Sequence, residues 1–558
     1  MFSYCFRNSL RFFVFKPRNL QIGYLQDFGF FQLLKNDLMI NSFFRGGGIY
    51  EQEAFYTIAD ELGIMIWQDL MFACSMYQST DDFLASVEDE VRHQIWRLQS
   101  HPSIVLWAGN NENEAALVQN WYGTNANFDL YKRDYLKLYK EVIERVVQEE
   151  NPGQVFALSS PSNGYKTSEV GGVNENPQDN FYGDIHFYSY YVDGWNPDSY
   201  PQGPRFVSEY GWQSFPSFNV LKNYSSEVDW SLSSKFAQKR QRHPNGNLEL
   251  PMQIMTHLDC PDFYQLSTPE GFREFLYLSQ ISQAEQLRTE TEVYRRAKSK
   301  INPETGSGMT MGALYWQLND VWPGASWTSL EYGGNWRMSH YFAKEMFSNV
   351  LVSPTLPAPY DKLKITIVSD LPETLKDLRL YVKVQRFDSF SYIGPSSYVT
   401  VEPFGVVEKE FDMKDFLFEG NCMEKPSNIE NFNLCFITAE LNDPNTHKVL
   451  SQNKLMNYPK SVKGLKIPNL TISSVKVCQS NCNLLGTSFI EAFDITIKTD
   501  AVALYVWLEA EDISGHFDKN GFLMDKPTFE VKFFAKSNVT SGMLTDALSI
   551  RSYKNSLE

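Results

Sequence analysis

Ser103-Ile-Val-Leu106-Trp-Ala-Gly-Asn-Asn-Glu112-Asn-Glu114 is the stretch on which the fold turns. A short apolar run ends in a polar loop, and the loop carries a carboxylate. Phe206-Val-Ser-Glu209-Tyr-Gly-Trp212 repeats the pattern a hundred residues later. Each run reads as a buried strand that delivers an acid at its carboxyl end, the face on which a barrel of parallel strands does its chemistry. Two such carboxylates on different strands suit glycoside hydrolysis. One protonates the departing oxygen, and the other meets the oxocarbenium-like carbon.

Working outward, the segment from Gly46 to about Asn349 alternates strands with helices, as βα units require. Glu53–Leu62 is predicted as a helix stopped by Gly63, a residue favoured just past a helix end. Ile64–Trp67 follows as a buried strand with Asp69 at its end. Asp81–Gln99 carries Phe83, Leu84, Val87, Val91, Ile95 and Leu98 at helical spacing. Leu130–Val147 is the next helix. Val155–Leu158, Asp184–Tyr188, Phe206–Ser208 and Met311–Trp316 complete the strands. With the last counted as eighth, Glu209 closes strand seven, and Glu112 follows strand four. Strand one has to come from the first forty residues, where Leu10–Phe15 is the candidate. The expected class is therefore α/β, a (β/α)8 TIM-type barrel. Beyond Pro354, alternating stretches such as Lys362–Val368, Cys435–Leu441 and Ala503–Glu509 predict two all-β sandwich domains. The boundaries are a divergent segment 1–45, a barrel 46–350, and sandwiches 356–460 and 465–558.

A chain of 558 residues exceeds one core, so several domains are required. A net charge of −17 argues against a nucleic-acid partner, since phosphate binding needs a basic surface. No apolar run approaches the roughly 20 residues of a membrane-spanning helix. The opening residues lack the uninterrupted apolar core and small-residue cleavage site of a secretory signal. Sequons at Asn223, Asn469 and Asn538 nevertheless match exposed loops of secreted proteins. Cys422 with Cys435 and Cys478 with Cys482 are plausible bridges, though spacing alone fixes no pairing. Cys74 reads as a buried thiol. No metal-ligand cluster or phosphate-binding loop stands out, so no cofactor is expected.

Further strings narrow the reading. Gly46-Gly-Gly-Ile-Tyr-Glu51, Asp60-Glu-Leu-Gly-Ile-Met-Ile-Trp-Gln-Asp69 and His101 to Glu112 resemble β-mannosidases of the β-galactosidase-like glycoside hydrolases. So do Gly183-Asp-Ile-His-Phe-Tyr188, Arg205 to Gln213 and Gly312 to Asp320, in the same order, and Asp518 to Met524 near the C-terminus. The resemblance implies a retaining, exo-acting enzyme that removes terminal β-linked mannose from oligosaccharides during lysosomal glycoprotein breakdown. Glu112 would be the acid/base and Glu209 the nucleophile, in surroundings that set their pKa values apart. Asn111 would hydrogen-bond a sugar hydroxyl. His186 would donate to the sugar or to Glu209, unless it is a satisfied core histidine. Trp316 forms a wall for the sugar or simply packs, and Asp69 binds hydroxyls or pairs with a barrel arginine. Tyr210 is a candidate to orient a carboxylate, Glu114 supports structure, and Ser160 and Asn163 are placed at the rim.

The resemblance also breaks. Its family carries Arg-x-Trp before the three glycines, with that Arg near the nucleophile; this chain has Phe43-Phe-Arg45. The family's first strand, its Trp-Ile-Pro-x-Asp loop and its leading sandwich domains have no counterpart here, as a truncated or misjoined N-terminus would produce. Two alternatives follow: a non-catalytic carbohydrate-binding relative that has lost its Arg and strand one, or a related β-galactosidase or β-glucuronidase.

Overall fold

The structure is a computed structural model that describes residues 43–46, 49–262, 265–357, 362–422, 432–479, 482 and 489–555. Seven parallel strands form two hydrogen-bonded groups. The first holds β1 (Phe43–Gly46), β2 (Met65–Asp69), β3 (Ile104–Ala108) and β4 (Phe156–Ala157), in that order. The second holds β5 (Ile185–Phe187), β6 (Val207–Tyr210) and β7 (Ala313–Tyr315). Trp67, Ala108 and Leu314, from three of these strands, form one buried cluster with Phe206, which directly precedes β6, and with Trp316 packed against it, so both groups enclose a common interior. The candidate first strand, Leu10–Phe15, lies outside the described residues, as do Gly47 and Gly48.

Helices cover the outside. In α1 (Glu53–Leu62), Phe55, Tyr56, Ala59 and Leu62 line one face and are buried, each large side chain contributing about 1.5–3 kcal/mol. The helix stops at Gly63, whose φ of 66° is left-handed and lets Ile64 N–H close back on the Ala59 carbonyl at 2.8 Å. Helix α2 (Asp81–Leu98) buries Val87, Val91, Ile95 and Leu98 at the same spacing. The expected single helix at 130–147 is interrupted, because Leu136–Glu144 is wound more widely as a π-helix between two α-helical pieces. A short helix α3 (Asn113–Val118) starts immediately after Glu112. Helix α4 (Pro269–Arg296), 28 residues long, has no counterpart in the sequence reading.

After the parallel strands come antiparallel sheets. Val350–Thr355, Lys362–Ser369 and Val406–Asp412 make one; Leu375–Arg386, Cys435–Asn442 and Val449–Leu455 with two shorter strands make another. Their facing residues, among them Val352, Ile365, Leu380 and Ile437, share one core. The first sheet thus begins at Val350, with Pro354 inside a strand rather than at a boundary. That strand is at the sheet's edge, where the missing N–H of proline is tolerated. A last pair of sheets runs through Thr471–Val477, Glu491–Lys498, Ala503–Ala510 and Thr528–Ala535. Both expected disulfides, Cys422–Cys435 and Cys478–Cys482, are formed. Asn223, Asn469 and Asn538 are exposed. Among the described residues, no helix is long and apolar enough to cross a membrane.

Candidate active site

The parallel strands point their carboxyl ends at one spot, and Arg45 on β1 occupies its floor. Its side chain is 2 % exposed, with its guanidinium 5.6 Å from the Trp67 ring. Nε meets Asp69 at 3.1 Å, Nη1 meets Glu209 at 3.1 Å and His186 Nε2 at 2.8 Å, and Nη2 donates to the Asn111 amide oxygen. Burial works against the charge, but the carboxylates of Asp69, Glu209 and Asp184 outweigh it and hold the guanidinium charged beyond its usual range. The position that seemed to break the family pattern therefore supplies the arginine.

Glu209 lies on β6, buried. Its Oε2 accepts from Arg45, and its Oε1 accepts from the Tyr188 hydroxyl at 2.8 Å. Both oxygens are engaged by donors, as suits an ionised carboxylate. The hydroxyl is not that of Tyr210, which pairs with Thr291 on α4 at 2.7 Å. Neighbours on a strand face opposite ways, so an inward Glu209 turns Tyr210 outward.

Glu112 is placed differently. Its φ of 67° is left-handed, a conformation that costs a non-glycine residue about 1–2 kcal/mol. The turn is anchored by Glu112 N–H on the Ser160 carbonyl at 2.7 Å. Glu112 Oε1 lies 2.7 Å from His186 Nδ1, and Oε2 lies 3.1 Å from the Cys74 sulfur. An arginine only donates, so His186 Nε2 accepts from Arg45 and its proton sits on Nδ1, aimed at Glu112. His186 thus serves Glu112; its separation from Glu209 is 3.8 Å. One oxygen of Glu112 and one of Glu209 lie within 4.8 Å of each other.

The remaining candidates divide. Asp69 pairs with Arg45, the second of its two expected roles. Asn111 is buried beside both acids. Trp316 follows β7, half-buried against the interior cluster. Ser160 and Asn163 are not at the rim. Ser160 is buried behind His186 and donates to Asp184 at 2.6 Å, while Asn163 ties down the loop at Asn176 and Asp179. Glu114 is buried in the first turn of α3; burial pushes its carboxyl up to about 8, with the Asn174 N–H opposing. Sequence reasoning passed over Tyr188, and it read Cys74 as an inert buried thiol although the residue is half-buried within the site. Glu112, His186 and Glu209 are spaced closely enough for an ion. Their inward atoms already face Arg45, whose buried positive charge opposes a second cation there.

Two carboxylates in unlike surroundings thus meet beyond the carboxyl ends of the parallel strands, beside one buried arginine. Over most of its length the chain is similar to β-mannosidases. It is 42% identical to the β-mannosidase of Capra hircus over 514 residues, which is 91% of this chain and 55% of that protein. Identity to a probable β-mannosidase of Caenorhabditis elegans is 32% over 508 residues, 88% of this chain and 54% of that one. The chain spans about half the length of the curated relatives it matches. Residues 465–556 match a mannosidase family model described as an Ig-fold domain. The crystal structure of a β-D-mannosidase from Dictyoglomus thermophilum aligns with a TM-score of 0.76 at 25% identity, over 98% of this chain and 60% of that one. An exo-chitosanase of Amycolatopsis orientalis shares the fold, with a TM-score of 0.67 at 14% identity, over 98% of this chain and 62% of that chain.

Proposed function

We propose that this chain is a retaining, exo-acting glycoside hydrolase that releases terminal β-linked mannose from oligosaccharides. The observation that carries the reading is the pair Glu112 and Glu209, within 4.8 Å of each other in unlike surroundings. Retaining enzymes hold their two carboxyl groups about 5–5.5 Å apart, inverting ones about 6.5–9.5 Å. An approach of the two residues to within 4.8 Å supports the closer arrangement and direct attack. Glu209, charged between Arg45 and Tyr188, is the nucleophile. Glu112 gives its proton to the leaving oxygen, then as a carboxylate takes one from the water that breaks the glycosyl-enzyme. Asn111 and Trp316 are the sugar contacts, and Asp69 holds Arg45 in place.

The same reading makes 46–350 a (β/α)8 barrel, with 356–460 and 465–558 as sandwich modules. It places the chain in the lysosome, a setting that the exposed sequons support. A binding-only relative was suggested by the apparent loss of an arginine and of strand one, and the contacts of Arg45 speak to the first of these.

The test is turnover of aryl β-mannosides by the purified chain. Glu209→Gln should lower kcat/KM at least about a thousandfold. Glu112→Gln should slow poor leaving groups most and be partly rescued by azide, which attacks the glycosyl-enzyme without a general base. Equal losses on every leaving group, with no azide effect, would overturn the assignment of Glu112.

A further inference from the structure

We propose that Cys74 is a positioning residue for Glu112, its thiol donating to the carboxylate oxygen opposite His186. This rests on the acid/base reading above. The sulfur lies 3.1 Å from Glu112 Oε2 and 3.5 Å from Asn111 Nδ2. The amide N–H donates to sulfur, so the thiol proton is free to point at the carboxylate. The backbone fixes this arrangement: Cys74 has a left-handed φ of 45°, and its N–H bonds the Asn111 carbonyl at 2.9 Å. On its other side, Ser75 N–H bonds Asn113 Oδ1 at 3.0 Å. A side chain merely filling space needs no such clamps on both flanks.

The contact closes a ring. Arg45 donates to Asn111, Asn111 to Cys74, and Cys74 to Glu112 Oε2; Arg45 also donates to His186, and His186 to Glu112 Oε1. Once Glu112 is a carboxylate, each of its oxygens therefore receives a donor that is itself oriented by the arginine holding the nucleophile. When Glu112 releases its proton to the leaving oxygen, the thiol stabilises the carboxylate that forms. A thiol is a weak donor, so it favours the charged form without locking the side chain. The other titratable groups facing Glu112 are His186, Glu209, Tyr188 and Tyr122, the last bonded to the Cys74 carbonyl.

Two measurements test this. The first is the pH profile of kcat/KM on an aryl β-mannoside with a poor leaving group. Cys74→Ala should move the alkaline limb up by up to about one unit and slow turnover roughly threefold to tenfold. Cys74→Ser, which keeps a donor, should return the limb to its place or below it. The second measurement needs no activity: iodoacetamide alkylation of Cys74 across pH, read from the mass of its peptide. In Glu112→Gln the neighbouring negative charge is gone, so the alkylation midpoint should fall by about one unit. An unmoved midpoint, or an alkaline limb unmoved in Cys74→Ala, overturns the proposal. A chain that hydrolyses no β-mannoside while its alkylation responds to Glu112→Gln overturns the glycosidase reading and leaves the thiol–carboxylate contact supported.

Discussion

Arg45 joins more of the site than any other side chain described here. It touches Asp69, Asn111, His186 and Glu209, each from a different strand or strand end. Arg45→Met removes one charge and takes the guanidinium away from two buried carboxylates, Asp69 and Glu209. Breaking a buried pair in this way costs about 3–5 kcal/mol. Urea unfolding should show that loss, together with a fall in kcat/KM; a variant as stable as wild type would mean that Arg45 does not hold the site. Both acids were legible in the sequence, because each follows an apolar run and opens a polar loop. Their partners were less so. The arginine was sought where a family pattern puts it, and only the folded chain shows that Arg45 reaches Glu209 and Asp69. The alternation of side chains along a strand, applied to Glu209, would have excluded Tyr210.

Helix α1 and the short parallel strands were readable because their burial follows a simple period. Helix α4 was not, since water touches little of it and the usual polar face is missing. Gln280, Gln283, Glu285, Gln286 and Glu290 are all buried along it. These groups have local partners instead: Gln283 bonds the Trp212 carbonyl, and Glu290 accepts from Tyr294 and Trp212. Burial pushes the Glu290 carboxyl up to about 8, against the pull of those two donors. Glu331, beside α4, is pushed up to about 7, and Glu114 to about 8. The folded chain then keeps these protons between about pH 4.5 and 8, where an unfolded glutamate has given them up. Stability is therefore fullest in acid and declines as pH rises through that window, by at most about 1.4 kcal/mol per unit for each group. Urea midpoints should be higher at pH 5.5 than at pH 7.5, and Glu290→Gln should flatten the slope. A slope unchanged in that variant would show that Glu290 is not among the groups responsible.

At the scale of the whole molecule, α4 is the member that every part shares. Its Tyr210 contact reaches β6, and the Arg295 guanidinium pairs with Asp370 at 2.8 Å. Glu292 accepts from Asn453 at 2.7 Å, and Tyr277 donates to the Tyr505 carbonyl at 2.6 Å. Arg551 pairs with Glu274. The antiparallel sheets were anticipated from alternation, but their grip on this helix was not, because contacts between distant segments leave no local signature.

That grip sets an order of manufacture. A ribosome adding about 5–20 residues per second needs tens of seconds between Arg296 and Arg551. Through that interval α4 has been made but its distal partners have not, so the half of the chain bearing the carboxylates waits unsealed. Ribosome-bound chains halted at residue 464 should be cut by protease within 269–296, whereas released full-length chains resist. Equal resistance would mean that the first half closes without the last. Where the delay holds, lesions in the final ninety residues will act as errors of the distant catalytic half, starving it of its closing partner.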